Sequence, residues 1–224
     1  LNVLEQVRVV AETDSTVIIN GDSGTGKELI AKAIHMNSSR RFFPMVTVHC
    51  GAIAENLMES ELFGHERGAF TGAQYARKGK FEMADGATLF LDEISTISMK
   101  MQIEILRVLE TKKFARVGGN REFKSDFRVI CATNRDLASM VKNGEFREDL
   151  FYRLNVFSII IPPLRERVED IKLLSEHFVK LYADQMNKGT RHIGKRAAKA
   201  LQNYAFPGNV RELENLIERA IVIG

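Results

Sequence analysis

The chain has 224 residues, 45% of them apolar and 27% charged, with a formal net charge of +3. That is enough apolar material for a full core in one domain, or in one domain with a small companion, and no apolar run approaches the roughly 20 residues of a membrane span. The opening LNVLEQVRVV lacks the layout of a signal peptide, Cys50 and Cys131 lie in strand-like contexts that predict reduced, buried thiols, and the five histidines are scattered singly; the expectation is a cytoplasmic protein with no membrane partner and no zinc or iron centre.

In chain order, STVIIN (residues 15–20) reads as a buried strand, and KELIAKAIHM as a helix with Leu29, Ile30, Ala33 and Ile34 on one face. A glycine-rich loop joins them. MVTVHC is a second strand and ENLMESELF a second helix with Leu57, Met58 and Leu62 inward. ATLFLDE is a third strand, followed by a helix in KMQIEILRVLE with Ile103, Leu106 and Leu109 at helical spacing. FRVICAT and VFSIII complete five continuous apolar strands, the pattern of a parallel sheet covered by helices on both faces. The core is therefore expected to be α/β. Gly118, Gly119 and Asn120 mark a hairpin turn before the fourth strand. Pro162 and Pro163 end the last strand, and a helical period follows, so residues 1–163 are expected to form an α/β subdomain and residues 164–224 a small helical one. In the last helix Asn209 is placed to cap the free amides, with Glu212 closing a capping box. From Leu164 onward there are 11 Lys/Arg against 8 Asp/Glu, a surplus too small to indicate DNA binding.

The chemistry starts at GDSGTGKE, residues Gly21, Asp22, Ser23, Gly24, Thr25, Gly26, Lys27 and Glu28. Between a strand and a helix, GxxxxGK wraps phosphate oxygens in backbone amides, with the helix N-terminus adding partial positive charge and Lys27 reaching the β and γ phosphates. Glu28 stands where Ser or Thr normally touches Mg²⁺. The acidic partner is expected at the end of ATLFLDE: Asp92 to hold Mg²⁺ through water, and Glu93 to orient and polarise the attacking water. Asn134, ending the fourth strand, is a polar group able to sense the γ phosphate. The segment GHERGAFTGA fits no regular period and holds Phe70 among small residues, as a mobile loop does.

GDSGTGKE, ELFGHERGAFTGA, GATLFLDE, ATNRDL, FREDLFYRLNV with PPLRER, and FPGNVRELEN together resemble the central AAA+ P-loop NTPase domain of bacterial sigma-54-dependent, NtrC-like transcription activators. The resemblance spans nearly the whole chain, and GAFTGA is its most specific element. It implies a five-stranded parallel AAA+ core with a helical lid, ATP and Mg²⁺ as substrate and cofactor, and a ring, expected to be hexameric. It also implies that Lys27 binds phosphate, that Asp92 and Glu93 are the Walker B pair, and that Asn134 and Arg211 are the two sensors. Arg147 and Arg153 match arginines that reach a neighbouring subunit's nucleotide. Gly68, Ala69, Phe70, Thr71, Gly72 and Ala73 match the loop that engages sigma-54 RNA polymerase holoenzyme to permit open-complex formation, with DNA bound through a separate domain.

Two departures stand out. Asp22 replaces the family's usual glutamate, and His49 takes the place of an asparagine that contacts the Walker B glutamate; an imidazole there can still hydrogen-bond Glu93. The chain begins later than such domains usually do, which implies that part of the adenine pocket lies outside it. Two other readings stay open: a DNA-remodelling AAA+ motor, which would carry basic loops in place of Gly68–Ala73, and a nucleotide-gated regulatory module that does not hydrolyse ATP.

Overall fold

The computed structural model describes residues 2–189 and 192–223. They fall into two compact units, one within residues 1–20 and 27–160 and the other within 21–26 and 161–224. The glycine-rich hexapeptide thus belongs with the C-terminal helices, although the strand before it and the helix after it belong to the first unit.

In the first unit a helix α1 (Val3–Ala11), opened by a capping box between Asn2 and Glu5, precedes strand β1 (Val17–Asn20) and helix α2 (Lys27–Met36). Next come β2 (Met45–His49), α3 (Glu55–Phe63), a short ribbon of β3 (Gly64–His65) and β4 (Arg77–Lys78), α4 (Lys80–Met83) and β5 (Thr88–Asp92). Helix α5 (Met99–Thr111) leads into a hairpin of β6 (Lys113–Ala115) and β7 (Glu122–Lys124). The unit then closes with β8 (Arg128–Thr133), α6 (Leu137–Lys142), α7 (Glu148–Leu154) and β9 (Phe157–Ile160). The five main strands form one parallel sheet in the order β2-β5-β8-β1-β9. This is the expected parallel sheet, and β5, β8 and β1 lie inside it, as their unbroken apolar runs require.

The helical faces differ from the expectation. Leu29, Leu57 and Ile103 are exposed, while Ala31 and Ile34 of α2, Met58, Leu62 and Phe63 of α3, and Met101, Ile105 and Val108 of α5 face the core. Each helix has apolar residues on more than one flank, so periodicity established the helix but not its rotation about the sheet. Buried Arg128 ties α1 to the sheet by donating from its two terminal nitrogens to the carbonyls of Ala11 (3.2 Å) and Val10 (2.7 Å). Those carbonyls lie in the last turn of α1, where a cation is favoured. The thiols of Cys50 and Cys131 are free and buried, and burial pushes that of Cys50 up to about 12.

In the second unit, α8 (Val168–Gln185), α9 (Lys195–Gln202) and α10 (Asn209–Ile223) pack around Leu164, Ile171, Phe206, Leu213 and Ile217. Asn209 does not cap its helix. It is fully buried at φ 54°, and its side chain spans two other segments: Oδ1 accepts from the Leu164 amide (2.8 Å) and Nδ2 donates to the Ser23 carbonyl (3.0 Å). Glu212 alone performs the capping, accepting from the Gly208 amide at 2.8 Å. Among the described residues no helix is long and apolar enough to cross a membrane.

Candidate nucleotide site and loop face

The glycine-rich loop is shaped by its own turn and by the helical unit. Gly24 and Gly26 take positive φ of 77° and 100°, and a Cβ on Gly24 would strike the backbone carbonyl of Gly208. Only glycine combines that backbone with so close an approach. Thr25 is buried, and its hydroxyl donates to the Asp22 carbonyl (2.8 Å). The carbonyls of Ser23, Gly24 and Thr25 accept from Asn209 Nδ2, the Val210 amide (3.0 Å) and the Arg167 guanidinium (2.9 Å) respectively. The Thr25 amide closes the turn on the Asp22 carbonyl at 3.4 Å, and with these carbonyls engaged the loop is held in one glycine-rich turn, a backbone form that can wrap phosphate oxygens. Arg211 lies in the first turn of α10 with its Cβ beside Gly24. Asp22 faces Arg165 at 3.7 Å. Lys27 opens α2, and the Glu28 carboxylate is engaged by Lys32 one turn on (2.7 Å), which lowers its pKa.

The acidic pair sits at the C-terminal end of β5. Because β2 and β5 run in register with His49 opposite Asp92, His49 Nδ1 reaches Asp92 Oδ2 at 3.2 Å. The expected hydrogen bond from His49 to Glu93 is therefore replaced by one to Asp92. Glu93, just past the strand, turns into the left-handed region (φ 55°, ψ 44°), and its carboxylate packs on Gly51, where any Cβ would collide with it. A non-glycine residue held there stores roughly 1–3 kcal/mol, a cost met mostly at functional sites. Asn134 is exposed immediately after β8, the strand beside β5. A single strand-end carboxylate suits Mg²⁺, which takes one or two protein carboxylates and completes its shell with water and substrate phosphates.

Arg147 immediately precedes α7 and Arg153 lies in its last turn. Arg147 makes a two-pronged pair with Asp149 (3.0 and 2.7 Å), which raises its pKa, and its amide donates to Gln102 Oε1. Arg153 donates to the Leu109 carbonyl at 3.1 Å. Both keep solvent-facing surface, and exposed pairs of this kind are weak enough to be exchanged for a stronger anion.

The segment Gly68–Ala73 is a closed loop, with the Gly68 amide donating to the Ala73 carbonyl (2.8 Å) and the Ala73 amide to Phe70 (3.0 Å). Gly68 and Gly72 take positive φ, and a side chain on either would meet nothing within 4 Å, so the tip is unpacked. Phe70 is 42% exposed and rests edge-on against His65, ring centroids 5.0 Å apart; His65 Nδ1 in turn lies 2.7 Å from Ser60 Oγ. The hairpin turn at residues 116–121 braces this loop. The Val117 amide donates to the Gly64 carbonyl, Glu66 donates back to Val117, Arg116 bridges Glu66 and Glu82, and Gly118 lies against Ala69. Sequence reading did not single out Gly51, which lies against the Glu93 carboxylate, or Arg167, which donates to the Thr25 carbonyl. Neither has a local signal, because each acts through a partner distant in the chain.

Comparison with known proteins agrees with this geometry. The model of the Sigma-54 interaction domain matches residues 1–160, and that of the AAA+ ATPase lid domain matches residues 165–224. The chain is 53% identical over 222 residues to the DNA-binding transcriptional activator HyfR of Escherichia coli (strain K12), covering 99% of the chain and 33% of HyfR. It is 51% identical over 222 residues to the transcriptional regulatory protein ZraR of the same organism, covering 99% of the chain and 50% of ZraR. It spans about a third to a half of the length of these curated relatives. The crystal structure of NtrX from Brucella abortus in complex with ADP superposes with a TM-score of 0.92 at 42% identity, covering 99% of the chain and 49% of NtrX. NtrX in complex with ATP matches equally well, at 0.92. The chain belongs to the Sigma-54 interaction domain family, as an AAA+ P-loop NTPase domain of the NtrC-like, sigma-54-dependent transcription activators.

Proposed function

We propose that the chain hydrolyses ATP in a ring of like subunits, expected to be hexameric, and uses the energy to remodel sigma-54 RNA polymerase holoenzyme so that a promoter can open. The observation that carries this reading is the coexistence, in one chain, of a glycine-rich strand-to-helix loop, with Gly24 and Gly26 at positive φ, and an exposed aromatic-tipped loop at Gly68–Ala73. Amides of residues 21–26 and Lys27 hold the phosphates. Asp92 would hold Mg²⁺, and the ion, when bound, offsets charge on the phosphate oxygens. Glu93 orients the attacking water and draws its proton toward a carboxylate oxygen, and Asn134 and Arg211 register the γ phosphate. Arg147 and Arg153 of a neighbouring subunit neutralise the charge that develops on it, an effect worth roughly 10³–10⁵ in rate in other NTPases. Phe70 and Thr71 form the tip that grips the sigma factor. The location follows as cytoplasmic, with promoter DNA held through a separate domain.

Replacing Thr71 with alanine tests the division of labour. ATP turnover should stay within about twofold of the parent, on the order of 0.4 kcal/mol of barrier or less, while open-complex formation at a sigma-54 promoter fails. A parallel loss of both would remove the loop from its assigned role.

A further inference from the structure

The loop-bearing face carries a concentration of positive charge that the overall composition conceals. Residues 64–82 and 112–124 hold nine Lys/Arg against three Asp/Glu, a local surplus of six in a chain whose total is +3, so everything outside these two segments is net acidic. The two segments form one surface, because β3 of the first is hydrogen-bonded to Val117 of the second and Gly118 packs on Ala69. Within it the signs are sorted by depth. Arg67, Arg77, Lys78, Lys113, Arg121 and Lys124 are exposed, whereas Glu66 and Glu82 are half-buried around Arg116, and Glu122 is the exposed acid of these segments.

Lys113 and Lys124 are directly opposed in the β6–β7 ladder, with Glu122 meeting Lys113 at 2.7 Å, while Arg77 pairs with Glu61 (2.8 Å) and Lys78 with Glu82 (3.4 Å). Arg116 and Arg121 both lie over the ring of Phe123, at 4.8 and 5.1 Å. Among the described residues of this face Arg67, Arg121 and Lys124 have no ion pair, and exposed cations of this kind fit a polyanionic partner. Two exposed aromatics share the face: Tyr75, 79% exposed and two residues before β4, and Phe70 at the loop tip. Rings beside cations offer stacking for unpaired bases together with contacts to the backbone phosphates.

We infer that this face is a binding surface for single-stranded nucleic acid, with Arg67, Arg121 and Lys124 contacting phosphates and Tyr75 stacking a base. The inference goes beyond the sigma-54 reading and rests on charge and exposure alone, so its failure would leave that reading standing.

The test is fluorescence anisotropy of a labelled single-stranded dT oligonucleotide with the 224-residue chain across a salt series. Affinity should fall as salt rises, and the triple substitution Arg67→Gln, Arg121→Gln, Lys124→Gln should lessen the slope of log K against log salt by about two, at roughly 0.7 per phosphate contact. Tyr75→Ala should weaken binding about five- to tenfold with the slope unchanged. All variants should keep parental ATP turnover, which shows that they fold. Absence of binding at low salt would overturn the assignment. So would a poly-glutamate peptide that displaces the strand at equal charge while Tyr75→Ala has no effect, since the surface would then be a site for an acidic protein.

Discussion

Replacing Asn209 with alanine should unfasten the phosphate loop from the helical unit, and the cost can be worked from the contacts. The substitution leaves the Leu164 amide without the acceptor that it has at 2.8 Å, in a place where Leu164 is fully buried. An orphaned buried donor costs about 1–3 kcal/mol. The Ser23 carbonyl loses its 3.0 Å donor, worth about 1 kcal/mol more. Alanine at φ 54° adds about 1 kcal/mol, since asparagine tolerates the left-handed region and alanine does not. The total is about 3–5 kcal/mol, borne by the second unit. Asn209→Gly removes only the last of these costs, part of which it returns through its larger unfolded-state entropy, so it should regain at most about 1 kcal/mol. Hydrogen exchange at the amides of α8 and α10 in a urea series reads this unit by itself, where a two-state fit to the whole chain would not. ATP affinity should fall along with stability. A loss below about 1 kcal/mol for Asn209→Ala, or a glycine variant as stable as the parent, would show that the two hydrogen bonds do not hold the loop.

Gly51→Ala should displace the Glu93 carboxylate, on which a Cβ would intrude, and lower ATP turnover by roughly 10²-fold, the scale of an ångström-sized misplacement, with ATP binding little changed; steady-state phosphate release and nucleotide titration together would decide it. His35 is buried with Nδ1 3.0 Å from Thr88 Oγ1, and burial lowers its pKa from 6.5, so the unfolded chain takes up a proton near that pH while the folded chain resists it. Stability should therefore be full above about pH 6.5 and decline as the pH drops through that value toward the folded pKa; the fall in Tm between pH 7.5 and 5.5 should be smaller in a His35→Asn variant, and an identical fall would exclude His35 as its source.

The five strands and the phosphate loop were legible in the sequence because each rests on local information. Unbroken apolar runs such as Leu89–Leu91 suit burial on both faces, and the glycines at positions 24 and 26 mark a backbone that other residues resist. Features settled by long-range partners were not legible. Leu29, Leu57 and Ile103 looked inward because a helical period sets spacing, while the rotation of the helix is set by the sheet beneath it. Asn209 carries the signature of a cap, yet its two partners lie 45 and 186 residues away, and these contacts take its side chain from the local role. His49 was paired with Glu93 by family expectation; the strand register sets it opposite Asp92 instead, and the left-handed turn at Glu93 carries that carboxylate toward Gly51. The bracing of Gly68–Ala73 by the 116–121 turn also depends on tertiary contacts, which turn signals in either segment could not disclose.

The central claim is that turnover at the phosphate loop is delivered to the transcription machinery through Phe70 and Thr71. Its most direct test is the association of the chain with purified sigma-54 in the presence of ADP and aluminium fluoride, which mimics the transferring phosphoryl group. The account predicts a complex that forms with the mimic, is absent with ADP alone, and is lost on substitution of Thr71. A chain that binds the mimic and yet fails to retain sigma-54, or retains it equally with ADP alone, would contradict it.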